Sequence, residues 1–146
     1  MENNLIANES LCLKAVEMMS HAYVPYSHHT VGAALLTVSG EVFTGCNIEN
    51  AAYGPTVCGE RTAIFKAISE GHKDFVRIAV AGGPNGKIEG FYPPCGVCRQ
   101  VMAEFCKEDF EILVVTSADP VCYKVYKLSE ILPYAFTPDH LDMNAI

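Results

Sequence analysis

Apolar residues recur at helical spacing early in the chain. Leu11, Ala15, Met18, Met19 and Ala22 fall at i, i+4, i+7, i+8 and i+11, which predicts an amphipathic helix closed before Pro25. The period then changes. Val31 to Val38 and Glu41 to Ile48 flank Ser39-Gly40, a two-residue turn signal, and so predict a β-hairpin whose second strand delivers Asn47 and Glu49. Cys58 to Glu70 reads as a second helix with Ile64 and Ile68 on one face and Gly71 as its stop. Val76 to Ala81 is a short buried strand, and a loop from Gly82 to Pro93 leads to Pro94, which opens a helix running to about Lys107. Glu111 to Thr116 and Tyr123 to Leu128 are the last strands, and Ser129 to Leu132 opens a short helix before a tail punctuated by proline.

This order of elements, α-β-β-α-β-α-β-β-α, predicts fold class α/β: a three-layer α/β/α arrangement with a mixed five-stranded sheet and helices on both faces. Strand, helix and strand from Val76 to Val115 are expected to form a right-handed parallel crossover. No linker, internal repeat or low-complexity segment interrupts the pattern. Residues 1–146 are therefore expected to be one domain, with flexible ends at about 1–8 and 141–146.

Composition changes the picture in two ways. A chain of 146 residues, 50% of them hydrophobic, can bury a core without disulfides, and a net charge of −7 offers no basic footprint for nucleic acid or an anionic membrane. The first residues, Met1 to Ile6, carry no basic leader pattern, and the longest apolar runs are too short to span a bilayer, so a cytoplasmic location is expected. Seven cysteines, an odd number without a secretion signal, argue against a disulfide framework. By default each is a packed thiol. Cys46 and Cys122 are read that way, and His21, His72 and His140 as surface residues. The segment from Ala81 to Ile88 fails as a phosphate loop, because Ala81 stands at the first glycine and Ile88 at the hydroxyl position.

Three thiols escape the default by their spacing. Cys95 and Cys98 lie at i and i+3 on the first turn of one helix, and Cys58 begins another. Free N–H groups and the helix dipole bias all three toward thiolate. Three sulfurs leave a tetrahedral zinc one open position, as in catalytic sites. Cys106 lies eight residues beyond Cys98 on the same helix, roughly 12 Å along its axis, and cannot close the site. A water activated at the open position near neutral pH needs a base for its proton, and Glu60, two residues past Cys58, is the candidate. Three thiolates on zinc leave net charge −1, which Arg61 can offset by hydrogen bonds to the sulfurs.

"CNIENAAYGPTVCGERTAIFKAISEG" followed by "PCGVCRQVMAEF", with "PYS" and "VGAALLT" upstream and "ILPYAF" downstream, resembles the small, homotetrameric, three-cysteine cytidine deaminases, from about residue 10 to residue 140. Cys-x-Glu with Pro-Cys-x-x-Cys at this separation is close to the signature of zinc deaminases. The resemblance implies hydrolytic deamination of cytidine and 2′-deoxycytidine, with one zinc per chain held by Cys58, Cys95 and Cys98 and with Glu60 carrying protons first to N3 and then to the departing ammonia. It also implies that Asn47 and Glu49 read the ribose hydroxyls, that backbone groups near Ala51 and Gly59 hold the base edge, and that Phe136 walls the site of a neighbouring subunit. Taken alone, Asn47 and Glu49 would be turn residues, and Phe136 plain packing. A site reading sugar hydroxyls without a cation for phosphate suits a nucleoside. One position departs from the family: His29 stands where Phe is usual beside the substrate, so a shifted preference toward modified cytidines is the alternative within the fold.

Two other classes compete. A thiol oxidoreductase would use Cys95-Gly-Val-Cys98 but gives no role to Cys58 or Glu60, and the chain has no Trp. A zinc-stabilised binding module would need a fourth ligand and has no use for Glu60.

Overall fold

A computed structural model describes residues 5–141. The ends 1–4 and 142–146, which include most of the segments expected to be flexible, lie outside the described residues. Helix α1 spans Asn8–Met18, strands β1 and β2 span His29–Thr37 and Val42–Cys46, and helix α2 spans Gly59–Ser69. Strand β3 (Phe75–Pro84), helix α3 (Gly96–Phe105), strands β4 (Glu111–Ala118) and β5 (Val121–Lys127), and the short helix α4 (Leu128–Ile131) follow.

The five strands form one mixed sheet in the order β2-β1-β3-β4-β5. Neighbours are antiparallel except β3 and β4, which run parallel across the α3 crossover, as the sequence predicts. Alternation along β1 divides the core into two layers. Ala33 and Leu35 pack with Ala63, Ile64, Ala67, Cys98 and Met102 from α2 and α3, while Ala34 and Leu36 face Leu11, Cys12 and Ala15 of α1 and Met19 in the turn that follows it. Nearly continuous burial along β1, β3 and β4 follows from helices covering both faces.

Two features of the sheet set up the site. Gly45 lets α2 lie directly on β2, since a Cβ there would sit 2.4 Å from the Gly59 carbonyl oxygen and 2.6 Å from the Ala63 nitrogen. β2 also ends at Cys46, earlier than the hairpin pattern predicts. The chain beyond it is captured differently: Ile48 bridges both Tyr23 and Val57, with Ile48 N–H donating to Val57 O at 3.0 Å and Glu49 N–H donating to Tyr23 O at 2.8 Å. Asn47 and Glu49 therefore sit where three segments meet.

Other expectations are corrected. β3 continues through Gly82, Gly83 and Pro84, which composition reads as loop; these residues pair with Val31, Thr30 and His29, and the Thr30 hydroxyl donates to Gly83 O at 2.8 Å. Helix α3 begins at Gly96, two residues after Pro94. Cys122 is exposed on β5, whose outward residues have no helix over them, so it is not a core thiol. His72 is half-buried, packed on Phe43 and 3.1 Å from Glu41 Oε2. No helix among the described residues is long and apolar enough to cross a membrane.

Candidate active site

Two helix N-termini converge on the sulfur cluster. Cys58 and Cys95 are the N-cap residues of α2 and α3, both in extended backbone conformation, and Cys98 is the third residue of α3. Cys58 Sγ lies 3.6 Å from Cys95 Sγ, which lies 3.5 Å from Cys98 Sγ, and all three fall within 4.8 Å of one another. Sulfurs at about 2.3 Å from a tetrahedral zinc would stand about 3.8 Å apart, so the cluster fits zinc as it stands. The remaining cysteines stay outside: Cys12, Cys46 and Cys106 have their thiols pushed up by burial, Cys12 and Cys106 to about 12. Among the described residues no fourth side chain joins the three.

Electrostatics favour an anionic cluster. Cys58 is held far below the usual thiol range, at about 5, chiefly because it accepts a hydrogen bond from the Cys98 thiol. Arg61 adds to this, with Nη2 donating to Cys58 Sγ at 3.4 Å. Within the pair Cys98 keeps the shared proton, and burial supports that division. Arg61 is thus committed to sulfur, the role expected of it from the charge of three thiolates.

Glu60 is the unusual group. It lies in the first turn of α2 at 3% exposure, and its Oε1 is buried without any hydrogen-bond partner. Burial, reinforced by the negative sulfur of Cys58, pushes its carboxyl up to about 7. Leaving such an acceptor unpaired costs about 1 to 3 kcal/mol, an expense that folding alone does not require.

A second group of residues surrounds the start of β1. Asn47 bridges the strand's backbone, accepting from Val31 N–H at 2.9 Å and donating through Nδ2 to His29 O at 2.8 Å. Glu49 accepts from the Tyr26 and Ser27 N–H groups, each at 3.1 Å, through Oε1 alone. Ser27, through its hydroxyl and its backbone, and Tyr26 hold this carboxylate below its usual range and therefore ionised. Beside Glu49 lies a cleft of about 370 Å³ lined by Tyr26, Ser27, Tyr53 and Thr56, with no Lys or Arg. Ala51 is exposed in the turn that follows, and Gly59 is buried against Val31 O and Cys46, where a Cβ would stand 3.2 to 3.3 Å from them. Phe136 is 60% exposed and stacked on His140 at 5.2 Å. Sequence reasoning missed Tyr92, whose hydroxyl lies 2.5 Å from His29 Nδ1; its one sequence signal is its place three residues before Cys95.

Three sulfurs suited to one zinc, beside a buried carboxylate whose Oε1 has no protein partner, define a zinc enzyme of the hydrolytic kind, since a structural zinc site would be closed by a fourth ligand. Residues 6–114 match the family model of the cytidine and deoxycytidylate deaminase zinc-binding region. The chain belongs to that family. It is 47% identical over 136 residues to a cytidine deaminase of Halalkalibacterium halodurans, covering 93% of this chain and 97% of that one. The crystal structure of a cytidine deaminase from Burkholderia pseudomallei superposes with a TM-score of 0.80 at 41% identity, covering 90% of this chain and 100% of that one. One from Mycobacterium tuberculosis does so at 0.73 and 33%, covering 90% and 98%.

Proposed function

We propose that this protein hydrolyses the exocyclic amine of cytidine and 2′-deoxycytidine, giving the uridines and ammonia, as a cytidine deaminase of pyrimidine salvage. The buried Glu60 carboxylate, its Oε1 without a protein partner beside the sulfur cluster, carries this reading. Cys58, Cys95 and Cys98 hold zinc, which when bound supplies Lewis-acid activation of a water. Glu60 would take a proton from the attacking water and deliver it to N3 of the base. It then carries the water's second proton to the departing amine, so that cytidine and water become uridine and ammonia. Arg61 keeps the thiolate charge balanced through its bond to Cys58.

Asn47 and Glu49 read the sugar hydroxyls. The two backbone bonds to Glu49 both fall on Oε1, which supports Oε2 as the oxygen that meets a sugar hydroxyl. Backbone groups at Ala51 and Gly59 hold the base edge. The lack of a cation in the cleft beside Glu49 supports a nucleoside over a nucleotide. A coupled change in ultraviolet absorbance and ammonia release tests the reading: cytidine and deoxycytidine should be turned over, and free cytosine at least roughly 10²-fold less efficiently. Equal turnover of cytosine, or none of cytidine, would overturn it.

The chain is taken as one catalytic domain acting in the cytoplasm as a homotetramer. Phe65, Val97 and Phe136 support the assembly, since each leaves a large apolar side chain uncovered. In the tetramer Phe136 walls the site of a neighbour. Light scattering should give four times the chain mass of 15.9 kDa; an active monomer would remove Phe136 from the site.

A further inference from the structure

Three residues from separate parts of the chain meet at the start of β1 and form a device that the deamination chemistry does not require. His29 lies on the same face of β1 as Val31, Ala33 and Leu35, because alternate residues of a strand share a face, and that is the face covered by α2 and α3. Tyr92 reaches it from the segment that leads to Cys95. The two rings stack at 5.9 Å with 28° between their planes, and the Tyr92 hydroxyl lies 2.5 Å from His29 Nδ1.

Gly82 supplies the seat. It occupies the same sheet face as Ile78 and Val80, and a Cβ there would fall 2.6, 2.7 and 2.8 Å from Tyr92 Cδ2, Cγ and Cβ. Only glycine lets the tyrosine ring lie so close to β3. Tyr92 is half-buried and His29 exposed, so the tyrosine is the fixed member and the imidazole the presented one. Ring stacking alone would need no hydroxyl, and a histidine facing only water would need no fixed partner.

We infer that His29 and Tyr92 act as one specificity-determining pair, in which Tyr92 orients the imidazole so that His29 Nε2 hydrogen-bonds an oxygen of the substrate's sugar. The inference rests on the nucleoside reading of the site. Two observations aim the pair at the sugar. The His29 carbonyl accepts from Asn47 Nδ2 at 2.8 Å, which places His29 beside the residue assigned to the ribose. Nδ1 is occupied by Tyr92, whereas Nε2 makes no hydrogen bond among the described residues. A phenol hydroxyl donating to Nδ1 leaves the proton of neutral imidazole on Nε2, making that nitrogen a donor for an ether or hydroxyl oxygen. His29 is thus the contacting residue, and Tyr92 a positioning residue acting through it.

A double-mutant cycle with cytidine tests the pair. Tyr92→Phe keeps the ring over Gly82 and removes only the hydroxyl. It should raise KM about 3- to 10-fold, the scale of one positioned neutral hydrogen bond, and leave kcat within about 2-fold. In a His29→Phe background the same change should alter KM by less than about 1.5-fold, because the group it orients is gone. Equal effects in both backgrounds, or a fall in kcat at constant KM, would overturn the pairing. If Tyr92→Phe lowers the thermal midpoint, His29→Phe alone decides: an unchanged KM overturns the assignment, and a raised one upholds His29 as the sugar contact. A wild-type protein inactive on cytidine would instead defeat the underlying functional reading, which separates the two failures.

Discussion

Glu60→Gln is expected to lower cytidine turnover by about 10² to 10⁴ while zinc content and thermal midpoint stay close to wild type. The substitution is nearly isosteric in a site where Glu60 is 3% exposed, so packing against α2 is kept. It removes the one carboxylate in the cluster able to take a proton from water and hand it on. The amide can still accept a hydrogen bond at the position of Oε1, which has no protein partner. Binding should therefore survive better than turnover, and the loss should fall on kcat rather than KM. Relieving a buried acid should also leave stability equal or slightly higher, the usual pattern where a site holds groups the fold does not need. Steady-state kinetics with metal analysis on one preparation measures all three quantities. A variant with near-normal kcat would mean the proton moves through another group.

Cys95→Ala should lower zinc from one equivalent per chain to below about one tenth and abolish activity. Cys95 is exposed at the N-cap of α3 and contributes little packing, so loss of stability in this variant reports on the metal. Zinc ties α2 to α3, and ligand binding to the native state alone adds to stability. The thermal midpoint should fall by more than about 10 °C, and a chelator should do the same to wild type, reversibly on adding zinc. Cys122→Ala, another exposed thiol, should change neither. Wild type that binds no zinc, or two equivalents, would refute the single three-sulfur centre.

Much of the metal centre could be read from the chain because its geometry is local. Cys95 and Cys98 are bound to share a helical turn, and Cys58 and Glu60 lie two residues apart, so the spacing of the thiols and the acid determined their relation before any tertiary contact was known. The sheet was legible for a similar reason: period-two runs separated by helical ones allow few arrangements of five strands, and the β3-α3-β4 crossover forces the one parallel pair. The strand ends were not legible. Gly82, Gly83 and Pro84 carry loop composition, yet β1 supplies the partners that make them strand. Cys122 could not be told from a core thiol because its exposure depends on which face of β5 lacks a helix.

What the sequence by itself determined about this protein, then, is the family, the mixed α/β architecture and the acid and thiols that α2 and α3 carry in their first turns. Only the tertiary structure decided that Cys58 meets Cys95 across 37 residues, that Glu60 is buried with its Oε1 left unpartnered, and that Tyr92 reaches His29 over Gly82. The physical reason is separation along the chain. Helical spacing fixes neighbours within a turn, but contacts between distant segments exist only once two layers of core have closed on the sheet and chosen which faces meet.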